Sequence, residues 1–83
     1  MTRQEVFDGL KEVVAVIRPK TDLSNVDFET PLVTGLGIDS LTMMLLSLAV
    51  EEKFNIRFPE NMPAPKTVGE ICDAVISAPQ NLN

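Results

Sequence analysis

Ser40 is the residue of this 83-residue chain whose type and setting best suit it to take a covalent group. It follows Gly37-Ile38-Asp39, so a glycine turn hands the chain to an acid, a serine and then an apolar run. Asp39 suits a helix N-cap, because its carboxylate can accept hydrogen bonds from unpaired amides of the first turn. Ser40 then stands at the start of the helix with its hydroxyl directed outward. First-turn amides and the positive end of the helix dipole lie beside it, a favourable field for a phosphate on that hydroxyl. Asp and Ser are also ordinary capping residues, so the pair alone does not separate a modified serine from a cap.

Other reactive side chains are few. The chain has no histidine, which removes Ser-His-Asp and Cys-His sites. Ile38-Asp39-Ser40-Leu41-Thr42 lacks the G-x-S-x-G nucleophile elbow. Cys72 is the only cysteine, so there is no internal disulfide, and it falls on an apolar helical stripe where a buried structural thiol is expected. The acids are dispersed and form no D-x-D-x-D loop; Glu51 and Glu52, being adjacent, point to different azimuths, so no metal site is expected. The chain is not expected to be an enzyme. An exposed helix-start serine beside a sticky, acid-rimmed helix reads instead as a substrate for other enzymes.

The elements that must position Ser40 read as helices. Thr2-Arg3-Gln4-Glu5 fits a capping box, and Val6, Leu10, Val13 and Ile17 recur at helical spacing, widened by Phe7 and Val14. The first helix is expected over about 3–17, with Arg18 placed for its C-terminal dipole and Pro19 ending it. Residues 18–39 form a long connection, yet Leu23, Val26, Phe28, Leu32, Val33, Leu36 and Ile38 make it too apolar for a solvated linker. It reads as a tethered loop that plugs the bundle, with room for a helical turn inside.

The second helix, about 40–54, is central. Met43, Leu46, Ala49, Val50 and Phe54 share one side, while Leu41, Met44, Leu45 and Leu48 share the other with Glu51 and Glu52. A chain this short cannot comfortably surround such a helix, so the second face is a candidate docking surface beside Ser40. The alternative places Leu41 or Leu45 under the long loop. Asn55 to Pro59 breaks the helix, and three prolines in 59–66 limit any helix there to a turn or two. Thr67-Val68-Gly69-Glu70 is a second capping-box match opening a last helix over about 68–77. The expected fold is all-α: a small four-helix bundle, three long helices and one short, with a long first loop. It forms one monomeric domain over 1–83, ordered over about 3–78 and frayed over 79–83.

Composition narrows the partners. Hydrophobic residues are 45% of the chain, enough for a folded core. A net charge of −5 disfavours a nucleic-acid binder and favours partners with basic patches. No apolar run reaches membrane-spanning length and the first ten residues lack a signal-peptide core, so no membrane insertion is expected and the cytoplasm is the expected compartment.

Gly37-Ile38-Asp39-Ser40-Leu41 resembles the G-x-D-S-L attachment motif of acyl carrier proteins, and the resemblance extends from the first helix through the long loop to 68–76. It implies that Ser40 carries 4'-phosphopantetheine, with Gly37, Asp39 and Leu41 as motif support. A phosphopantetheinyl transferase would deliver that group from coenzyme A, and its thiol would hold acyl groups as thioesters. Met44, Leu45, Leu48, Glu51 and Glu52 would then dock acyltransferase- or ketosynthase-type enzymes with basic patches. Leu48→Ala and Glu51→Lys would slow those reactions while sparing stability.

Two departures bear on the pathway. Fatty-acid carriers usually have acids soon after the serine, where this chain has Thr42 and Leu45, which favours a polyketide or other secondary pathway. Peptidyl carriers commonly have a second glycine where Ile38 stands, which makes aminoacyl cargo the runner-up. An unmodified helical interaction module, binding through Leu41, Leu45 and Leu48, is the alternative of another class.

Overall fold

The computed structural model describes residues 1–79 as four helices: α1 (Arg3–Ile17), α2 (Leu32–Leu36), α3 (Ser40–Phe54) and α4 (Val68–Ser77). Among the described residues no strand forms; an isolated bridge joins Pro31 to Thr67. The expected frayed end lies outside the described residues except for Pro79. Among the described residues no helix is long and apolar enough to cross a membrane, and no group of three or more acids and Cys72 lies close enough together to hold a metal ion.

α1 begins with a complete capping box. The Thr2 hydroxyl accepts from the Glu5 amide, and the Glu5 carboxylate accepts from the Thr2 amide at 2.8 Å. Val6, Phe7, Leu10, Val13 and Val14 form its buried stripe. α4 starts differently from expectation. The Thr67 hydroxyl accepts from the Glu70 amide, but the Glu70 carboxylate accepts from the Thr67 hydroxyl and not from its amide, so only half of a reciprocal box is made. α4 buries Val68, Ile71, Cys72 and Val75 against α1.

The short helix lies inside the long connection, at α2, and not at 59–66. Proline explains the second region: Pro59, Pro63 and Pro65 each lack an amide donor and push the preceding residue out of helical backbone. Only a turn forms there, the Met62 amide bonding the Pro59 carbonyl at 3.2 Å. α2 forms because Pro31 opens it and Leu32 and Leu36 bury one side of its single turn.

The connection is a plug, as its apolar content predicts, with Leu32, Leu36 and Ile38 buried and Leu23, Val26 and Phe28 packed against the core, but Val33 faces solvent. Phe28 packs on Phe7 with ring centroids 4.8 Å apart, and the Arg3 guanidinium covers its ring at 4.2 Å. Three backbone bonds pin the connection to the start of α4: Leu32 amide to Lys66 carbonyl, Val68 amide to Thr30 carbonyl, and Gly69 amide to Phe28 carbonyl, all between 2.7 and 3.0 Å. Position 69 must be glycine for that approach, since a Cβ there would stand 2.8 Å from the Phe28 carbonyl oxygen.

Candidate functional site

The site begins with Gly37. Its φ of 67° is left-handed, a conformation glycine adopts without steric cost, and it reverses the chain between α2 and α3. The amides of Gly37 and Ile38 bond back to the Val33 and Leu32 carbonyls at 3.1 Å, closing α2. Ile38, 1% exposed, anchors the turn in the core. The two residues after that anchor therefore start α3 at the surface.

Asp39 is the N-cap of α3, and its carboxylate accepts from the Thr42 amide at 2.8 Å. That hydrogen bond, helped by the Thr42 hydroxyl and more distantly by the Arg18 guanidinium, holds the Asp39 carboxyl below its ordinary range. Thr42 is buried under the cap, the one buried polar side chain among the described residues. Ser40 is the first residue of the helix and is exposed. Its hydroxyl therefore has the geometry of an acceptor of a phosphoryl group: accessible, and beside first-turn amides that carry positive partial charge.

Ser40 lies on the wall of an open groove of about 760 Å³. Val33 and Thr34 of α2, Met43 of α3, and Ala64, Pro65 and Lys66 of the proline segment line it with Ser40. Sequence reading did not find this groove. It depends on the proline segment lying alongside α2 and α3, a contact between residues distant in sequence with no local pattern to announce it.

α3 divides as its azimuths predict. Leu46 and Val50 are buried, and Met43, Ala49 and Phe54 pack half-buried against the core. Leu41, Met44, Leu45 and Leu48 are 65%, 59%, 48% and 57% exposed, which rules out the alternative of Leu41 or Leu45 under the loop. They form a contiguous apolar face running from the residue after Ser40. Glu52 is exposed beside it.

Glu51 differs from expectation. It is half-buried, and its Oε2 accepts from the Phe58 amide at 2.7 Å. The carboxylate closes the turn after α3, so Glu51→Lys would remove a structural hydrogen bond and is not a clean docking variant. Cys72 is fully buried, and burial pushes its thiol up to about 11, so it is an inert packing residue.

Comparison with known proteins agrees with this geometry. The family profile described as "Phosphopantetheine attachment site" matches residues 10–75. The chain is 42% identical over 67 residues to an acyl carrier protein of Wolinella succinogenes, covering 80% of this chain and 87% of the relative. It is 32% identical over 79 residues to an acyl carrier protein of Acidothermus cellulolyticus, covering 94% and 93%. A meromycolate extension acyl carrier protein of Mycolicibacterium smegmatis is 31% identical over 71 residues, covering 84% and 71%.

Proposed function

Because the chain belongs to the phosphopantetheine-attachment family of acyl carrier proteins, we propose that Ser40 is the residue that takes the 4'-phosphopantetheine group. The observation that carries this reading is an exposed serine at the first position of a 15-residue helix, set there by the left-handed turn at Gly37 and the Asp39 cap. Acyl carrier proteins are carriers and not catalysts, so the chemistry belongs to enzymes that dock on them.

The residues fit the group. Ser40 presents an accessible oxygen for the phosphodiester, α3 presents first-turn amides toward it, and the adjoining groove offers a largely apolar wall along which an extended arm can lie. The group supplies a thiol that holds acyl groups as thioesters. This chain holds the attachment point at the edge of a face that other enzymes can grip. Leu41, Met44, Leu45 and Leu48, with Glu52, are that face. A docked enzyme then meets cargo on a tether, at a local concentration far above that of free thioester.

Phosphopantetheinyl transferase and acyltransferase- or ketosynthase-type enzymes are the partners of this reading, with a monomeric carrier. The pathway we favour is polyketide or other secondary metabolism. Its support is that Thr42 is buried and Leu45 is an exposed apolar residue, where fatty-acid carriers commonly place acids.

The test is incubation with a transferase and coenzyme A, read by intact mass. Wild-type protein gains one phosphopantetheine and Ser40→Ala gains none while keeping its helical circular dichroism. Ser24, Ser47 and Ser77 remain in that variant as internal controls, since none follows a glycine turn and an acid. Mass gain in Ser40→Ala would overturn the assignment. Offering the modified protein to malonyl- and aminoacyl-loading enzymes then separates the polyketide reading from aminoacyl cargo.

A further inference from the structure

Arg18 stands next to the attachment site although it is 22 positions away in sequence. It ends α1 as the C-cap, its amide bonding the Val14 carbonyl at 2.7 Å. The guanidinium reaches across to the turn before α3, where its Nη2 lies 3.1 Å from the point a Cβ on Gly37 would occupy. Glycine at 37 thus provides both the left-handed turn and the space that this guanidinium fills.

The charge there is uncommitted. The ion pairs among the described residues take Arg3 with Asp73 and Lys53 with Glu12; Arg18 is in neither, and it is exposed. Its field reaches Asp39, the residue before Ser40. A phosphodiester on Ser40 would place a second negative charge beside the Asp39 carboxylate, and like charges at that separation repel. First-turn amides offset part of this repulsion, and a guanidinium within reach of the same turn offsets more. A guanidinium also matches phosphate geometry, presenting paired N–H donors to two oxygens.

We propose that Arg18 binds the phosphate of the group that Ser40 accepts; this rests on the attachment reading of Ser40. Arg18 would engage that phosphate both in the approach of coenzyme A and afterwards in the phosphodiester product. In the step between, the Ser40 oxygen, its proton passing to a base of the transferase, bonds to the phosphorus next to the pantetheine, and the pyrophosphate bond breaks to release adenosine 3',5'-bisphosphate. Gly37 then supports the site by leaving the approach open.

The test uses the full chain with and without the group, its loading state first fixed by intact mass. Nitrogen-15 NMR follows the Nε–Hε signals of the three arginines. The Arg18 signal is expected to shift on modification. Those of Arg3 and Arg57 should stay in place, because α1 and α3 each put roughly 20 Å between them and the site. In parallel, Arg18→Ala should lower the transferase kcat/KM for coenzyme A about twofold to fivefold at low salt, the size that an exposed ion pair supports. Arg18→Lys should recover part of the loss, and added salt should shrink the difference, while all variants keep wild-type circular dichroism and Tm. A purely structural Arg18 would show neither the shift nor the salt dependence. An unmoved Arg18 signal in fully modified protein overturns the proposal, as does modification of Arg18→Ala at the wild-type rate in low salt. Absence of any mass gain in wild-type protein overturns the Ser40 reading, and this one with it.

Discussion

Asp39 shows what one side chain contributes both to the fold and to the site. Its carboxylate caps α3 through the Thr42 amide, and that bond favours the ionised form. The folded value lies below the ordinary 3.8, so the stabilisation is fully present above that value and is lost as pH falls through the lower folded value. Asp39→Asn keeps a good capping oxygen without the charge. It should therefore match wild type near neutral pH and lose less stability on acidification, whereas Asp39→Ala should be weaker at every pH. Urea midpoints measured from neutral to strongly acidic pH check this. Glu5 and Asp22 are also held low by hydrogen bonds and contribute to the acid limb, so the informative quantity is the difference between variant and wild type. A difference constant with pH would show that the cap does not discriminate charge. The caps at Thr2 and Asp39 were legible in sequence because each joins residues three apart. Arg18 was not, because its reach to Gly37 depends on where two elements lie in space. Glu51 was not either: its bond to Phe58 exists only because Asn55, at a φ of 55°, turns the chain back toward the last turn of α3.

At the scale of the element, α3 carries two apolar faces that differ only in what covers them. The sequence distinguishes the faces by azimuth but not the covered one from the bare one; the chain's small size supplied that argument, and the exposures agree with it. Leu46, 1% exposed, and Leu48, 57% exposed, stand two positions apart and make the contrast testable. Leu46→Ala should cost about 2–5 kcal/mol by opening a cavity in the core. Leu48→Ala should leave Tm nearly unchanged but lower kcat/KM with the transferase or an acyl-loading enzyme, by up to about tenfold if a partner covers the side chain. A large stability loss for Leu48→Ala would place it in the core and remove the docking reading. Glu51→Ala belongs with the stability variants. It leaves the Phe58 amide without its partner and should cost about 1 kcal/mol. The short helix was legible only as a possibility within the apolar loop. A five-residue helix has too little periodicity to read, and its ends are fixed by Pro31 and by the bonds from Gly37 and Ile38, which tertiary packing holds in place.

At the scale of the whole molecule, Cys72 of α4 is a buried member of the core that α1, α3, α4 and the long connection share. Cys72 is fully buried, and the Phe28 segment is tied to the start of α4 by the bonds from Val68 and Gly69. One buried thiol in a chain with no tyrosine gives the alkaline side of stability a contribution that a variant at that single position isolates. Burial raises the Cys72 thiol from 9.0 to about 11, so between those values the unfolded chain ionises while the folded one stays protonated. The folded state then holds more protons than the unfolded state, and linkage requires stability to fall as pH rises through that window. Stability associated with Cys72 should be intact below about pH 9 and lost progressively toward pH 11. Cys72→Ala should be less stable at neutral pH, because it removes a packed sulfur, yet its stability should decline less steeply across the same window. The same burial makes the thiol unreachable unless the bundle opens. A thiol reagent at pH 8 should thus label wild-type protein at a rate set by global opening, which urea below the unfolding midpoint accelerates. Labelling as fast as a free cysteine, or equal alkaline slopes for wild type and Cys72→Ala, would mean that the loop and α4 part locally and that the core is not closed as one unit.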